Sequence, residues 1–227
     1  MTHEMSTRRS IMSGLGAAAA VVALGPHTAG AQTPARAFQP ARHAQDAWLN
    51  AVAGSHRTFI DAATVNGAGE AMLYANNLYE ANKSGYGLPE SDVAVVVCLR
   101  HFATVFAYND AIWTKYGKTV SAMLQFTDPK TKLPPATNLL NSADYGMALP
   151  NLGHTIGSVV KRGTQFAVCD MATHFFAEQL ATASGGNAAG VYKELLANTI
   201  PNSHMVAAGV LAVNRAQEYG YTLLTAL

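Results

Sequence analysis

Two cysteines carry the most distinctive chemistry in this 227-residue chain, and each closes a strand-like run. Cys169 ends Gln165-Phe-Ala-Val-Cys169 and stands directly before Asp170 and a helix-like segment. Main-chain N–H groups at a helix N-terminus stabilise a thiolate, the form of cysteine that acts as a nucleophile. Asp170 opposes that ionisation by its own charge, or instead caps the helix. Cys98 continues Val95-Val-Val97 and is followed by Leu99, Arg100 and His101. A guanidinium at that point suits an anionic ligand, and an imidazole suits proton transfer. The competing role for either cysteine is that of a small apolar core residue, which the valine run favours for Cys98.

These residues gain meaning from the elements around them. Strand-like and helix-like segments alternate along the chain, the pattern of an α/β domain with a parallel sheet. Strands are expected at 57–65, 92–99, 164–169, 203–207 and 221–224, and helices at 41–52, 69–82, 105–115, 155–161, 171–183, 191–198 and 209–218. The expected fold is one three-layer α/β domain with a mostly parallel sheet of four to five strands. A turn-rich, Pro-punctuated stretch at 123–151 interrupts it, and a stretch that long without regular structure reads as a lid or an interface arm. Ligands of open parallel sheets bind beyond the carboxyl ends of the strands. Those ends carry Asn66, then Cys98, Arg100 and His101, then Cys169 and Asp170, and finally Gly209. Cys169, Arg100 and His101 are the candidate reactive residues; Asn66, Cys98, Asp170 and Gly209 are candidate pocket residues.

Other chemistries lack their signatures. No G-x-G-x-x-G or Walker loop is present to cradle a phosphate, and no G-x-S-x-G marks a serine nucleophile. The histidines show no H-x-H or H-E-x-x-H spacing; His174 and Glu178 share a helix face, a pairing more typical of a solvated contact. No cofactor and no metal site is therefore expected. A disulfide between Cys98 and Cys169 requires Cα atoms within about 7 Å, so it turns on strand order.

Fifteen basic against 14 acidic residues give a net charge of +1 with no long basic run, which argues against a nucleic-acid partner. Hydrophobic residues make up 49% of the chain, enough to exclude disorder as a description of the whole. Charged residues are only 13%, which leaves little polar surface to cover a monomer and points to a homo-oligomer.

The N-terminus reads as an address. Ser6-Thr-Arg8-Arg9-Ser-Ile-Met12 precedes an uncharged, Ala/Gly-rich run at 13–24, and Ala29-Gly-Ala31 offers a cleavage site before Gln32. The run is too short for a membrane span of about 20 residues. The pattern resembles a twin-arginine export signal, which the mildly apolar Ala/Gly-rich run favours over the alternative of an ordinary Sec signal that happens to carry two arginines. Residues 1–31 are expected to be removed, 32–40 to form a flexible leader, and 41–227 to be a periplasmic domain with no membrane contact.

Three stretches resemble the DsrE/DsrF-like (YchN-like) sulfur-relay family. Val168-Cys169 is similar to its strand-end cysteine. Ile200 to Tyr221, with a strand, a Gly-opened helix and Gln217-Glu-Tyr-Gly-Tyr221, is similar to its closing element, and residues 92–107 match less specifically. The resemblance implies trimers or hexamers, a cysteine at position 169 that accepts and donates persulfide sulfur, and a donor or acceptor protein as partner. It also implies a sheet with the first strand between the second and third, which would hold Cys98 and Cys169 too far apart to bridge. The export signal and the 123–151 insertion depart from the relay proteins. The sequence therefore leads to sulfane-sulfur handling through Cys169, as a sulfurtransferase or persulfide carrier, with a non-catalytic ligand-binding or assembly protein of the same fold as the alternative.

Fusing residues 1–32 to a reporter and changing Arg8 and Arg9 to Lys should abolish its export. Undiminished export would remove the twin-arginine reading.

Overall fold

The computed structural model describes residues 39–227; the expected signal and most of the leader lie outside the described residues. The chain begins with a 3-10 turn, Ala44–Asp46, and a short helix α1, Ala47–Ala51, in place of one continuous helix over 41–52. Arg57 holds this segment down by donating to the carbonyls of Leu49 (2.9 Å), Val52 (2.8 Å) and Gly54 (3.1 Å). The guanidinium thereby satisfies the Leu49 carbonyl, which the short helix leaves unpaired, and two carbonyls of the turn that follows it.

Five strands follow in a single all-parallel sheet: β1 (His56–Ala62), β2 (Val93–Leu99), β3 (Gln165–Cys169), β4 (Ser203–Val206) and β5 (Thr222–Ala226). Their spatial order is β4-β3-β2-β1-β5, which makes β2 the centre. This differs from the order that the family resemblance implies: here the second strand separates the first from the third. All seven residues of β2 are buried, as a β-branched run flanked by layers on both faces requires.

The two faces have different cores. Ile60, Val95, Val97, Leu99, Phe166 and Val168 point to one side. There they meet α2 (Val65–Tyr86), α3 (Asp110–Leu124) and α5 (Asp170–Ser184), with α4 (Ile156–Lys161) and α6 (Ala188–Ala197) completing that layer. Phe59, Ala94, Val96, Cys98 and Ala167 point to the other side, against Ala212 and Ala216 of α7 (Gly209–Glu218) and Leu49 of α1.

Helix boundaries follow their caps. Thr64 accepts from the Gly67 amide at 2.8 Å and opens α2, so β1 stops at Ala62 rather than running to Val65. Gly87, at φ 68°, ends α2 in the left-handed conformation that glycine adopts without cost. The helix expected at 105–115 starts later, at Asp110, because Asn109 supplies the cap while 3-10 turns occupy His101–Ala107.

The inserted stretch is seated on the domain. Two short 3-10 segments, Leu139–Asn141 and Ala143–Ala148, lie within it, and Leu139 and Leu140 are buried. Asn138 donates to the carbonyls of Phe106 and Tyr108, both at 2.9 Å. Gly117 lets α3 lie directly against the Pro135 carbonyl, where a Cβ would collide.

Gly117→Ala should lower stability by about 1–3 kcal/mol in urea unfolding, the usual cost of forcing an extra carbon into a packed contact. An unchanged midpoint would show that the insertion does not rest on α3 in solution.

Candidate functional site

At the carboxyl ends of the strands, register decides which side chains meet. Leu99 pairs with Val168, so the next residues along, Arg100 and Cys169, stand opposite each other. Asp61 pairs with Cys98 on the other side of β2. Arg100 reaches back over Cys98 and grips Asp61 in a bidentate pair, Nε to Oδ1 at 2.7 Å and Nη2 to Oδ2 at 2.9 Å. Such parallel charge-assisted hydrogen bonds fix a guanidinium in orientation as well as place. The stem of Arg100 runs along the start of α7, where a Cβ on Gly209 would collide with it.

The turn after Arg100 is tied to β1. Arg100 donates its N–H to the Ala62 carbonyl and Phe102 to the Ala63 carbonyl, both at 3.1 Å. His101 occupies the left-handed region at φ 53°, a conformation that histidine enters more readily than most residues. Its ring lies 4.1 Å from that of Phe102.

Cys169 ends β3 and caps α5: its Sγ accepts from the Ala172 amide at 3.4 Å. Below it, Tyr108 donates to Thr173 Oγ1 at 2.8 Å, and Thr173 donates to the Cys169 carbonyl at 2.9 Å. This buried chain pins the strand-to-helix corner from beneath. Burial raises the Tyr108 phenol far above its ordinary value, so it stays protonated and remains a donor.

Cys169 is 6% exposed and opens onto a cavity of about 380 Å³. Arg100, His101 and Gly209 share that cavity. Its remaining wall is apolar, with Phe102, Met171, Phe175 and Val210 as the large side chains.

The other candidates lie elsewhere. Cys98 is sealed beneath α7 and donates to the Gly209 carbonyl at 3.8 Å. Burial pushes its thiol well above the usual value, and the nearby Asp61 adds to that effect. Both cysteines are free thiols. Cys169 sits on the neighbouring strand but two residues beyond Ala167, the partner of Cys98, and this offset accompanies the unbridged state. Asp170 turns away from the cavity: its Oδ1 accepts from Tyr192 of α6 at 2.7 Å, which pushes the tyrosine up to about 12. His174 approaches Asp170 at 3.6 Å and stacks on Tyr192, rather than pairing with Glu178. Asn66 lies in the first turn of α2 beside a separate hollow lined by Phe106, Phe126 and Leu149. Among the described residues, no three His, Cys, Asp or Glu side chains converge as metal ligands.

Asp61 was not anticipated, although an acid inside the apolar run Phe59-Ile-Asp-Ala62 is a signal in itself, because buried acids are almost always paired. The apolar rim was also missed, since Met171, Phe175 and Val210 read as ordinary helix residues.

Comparisons with models of protein families, with curated proteins and with solved structures found no match.

Asp61→Ala leaves Arg100 without its carboxylate and should cost about 2–3 kcal/mol in urea unfolding, below the full cost for a wholly buried pair because Arg100 still reaches water. Pairing it with Arg100→Met should recover most of that loss. A neutral single substitution would mean that the pair does not organise the strand ends.

Proposed function

We propose that this chain is an exported α/β protein that handles sulfane sulfur, with Cys169 as the persulfide-carrying residue. The observation that supports this reading most is the position of its sulfur, at the N-terminus of α5 and on the wall of a cavity large enough for a small organic molecule. Cys98 offers the contrast within the same sheet, since burial keeps it a protonated thiol.

In the proposed reaction the Cys169 thiolate attacks the outer sulfur of a donor R–S–SH. A Cys169 S–S bond forms, the donor S–S bond breaks, and R–S⁻ leaves with the electron pair. His101, at the lip, donates a proton to that leaving thiolate. An acceptor thiolate then attacks the terminal sulfur and regenerates the Cys169 thiolate, so no outside oxidant or reductant is needed. The Ala172 amide donates a hydrogen bond to the attacking sulfur and holds it at the cavity wall. Arg100, held by Asp61, orients polar atoms of the donor.

The resemblance to DsrE/DsrF-like proteins, a trimeric or hexameric assembly, and a periplasmic location reached by the twin-arginine route belong to the same proposal. The observed sheet order departs from the one that resemblance implies, so the reading rests on Cys169 and its surroundings rather than on the family. No described helix is long and apolar enough to cross a membrane, which is compatible with a domain released after export.

Incubation with a sulfane donor should add one sulfur atom to the Cys169 peptide by mass spectrometry. Cys169→Ser should abolish the addition, and Cys98→Ala should preserve it. A Cys169 thiol that alkylates readily yet never acquires sulfur would favour the non-catalytic ligand-binding alternative.

A further inference from the structure

We infer that the Cys169 cavity selects an apolar organic sulfane donor, with an aryl or alkyl body, over inorganic thiosulfate. This rests on the reading of Cys169 as a persulfide carrier and specifies its substrate class.

Charge is the first argument. Arg100 is the one permanently charged side chain on the cavity wall among the described residues, and its Nε and Nη2 are already committed to Asp61. Asp61 is 7% exposed, and its carboxylate lies directly behind that guanidinium. A thiosulfate dianion would therefore meet a neutralised pair, whereas anion sites depend on uncompensated positive charge.

The second argument is surface. Phe102, Met171, Phe175 and Val210 are 39%, 68%, 44% and 60% exposed, and all four border the cavity. An apolar donor body would remove this surface from water, at about 25 cal/mol for each Å² covered. Met171 is unbranched and can adapt to bodies of different shape. Thiosulfate covers almost none of that surface.

Benzenethiosulfonate tests this, because it carries the same type of transferable sulfur as thiosulfate on an aryl body. The Cys169 thiolate attacks the terminal sulfur, the donor S–S bond breaks with its electron pair on benzenesulfinate, and Cys169 keeps an anionic persulfide. Loading rates for the two donors are each divided by the rate with a free small thiol, which removes intrinsic reactivity. The corrected ratio should favour the aryl donor about tenfold or more, the equivalent of covering roughly 55 Å² of apolar surface. Met171→Ser with Phe175→Ser should cut the ratio about tenfold, and Val210→Ser on the facing helix should lower it independently. Thiosulfate loading as fast as the aryl donor after correction, or a ratio untouched by these substitutions, would overturn the inference while leaving the carrier reading intact. Loading by neither donor would remove the carrier reading and this inference together.

Discussion

The in-register parallel pairing of β1, β2 and β3 is the constraint on which the remainder of the molecule depends. Pairs from His56↔Val93 to Ala62↔Leu99 lock the first two strands, and Val96↔Gln165 to Leu99↔Val168 lock the third. Side chains alternate across a sheet with a period of two, so a slip of one residue would move a strand's whole apolar set to the opposite layer. Only in the observed register do Asp61, Arg100 and Cys169 arrive on one face at one end of the sheet. The site is thus a consequence of how Val93–Leu99 packs, long before any chemistry is involved.

That face carries a thin layer, chiefly α7 with α1 beside it, and its closeness to the sheet depends on small residues. Gly209 admits the Arg100 stem, while Cys98 fits beneath and donates to the Gly209 carbonyl. The opposite layer is thick, built from α2, α3, α5 and their neighbours, and it carries Thr173 and Tyr108, which anchor the Cys169 corner. One thiol therefore serves as packing and the other as a helix cap at an opening. The difference comes from where each falls relative to the strand end: Cys98 is one residue inside β2, and Cys169 is the last residue of β3.

Much of this was legible in the residues. The β-branched run at Val93–Leu99 announced a doubly buried strand, and Gly209–Glu218 emerged with the boundaries its spacing suggests. Caps explain where the sequence misled: Thr64 and Asn109 are stronger start signals than the apolar spacing that pointed to later or earlier helices. Strand order was hidden, because parallel strands joined through helices can be threaded in several orders with the same local pattern. The Asp61–Arg100 pair was hidden for the same reason. Its members are 39 positions apart, and only adjacency of β1 and β2 brings them together. The apolar mouth was invisible for a different reason, since Met171 and Phe175 on α5 gain their meaning from Phe102 and Val210 on other elements.

Everything functional rests on Cys169 being the reachable sulfur of the two. Alkylation of the native protein by iodoacetamide, mapped by peptide mass, tests this directly. The account predicts a single label on Cys169, with Cys98 modified only after denaturation. Labelling of Cys98 first, or of neither cysteine until the chain unfolds, would contradict it.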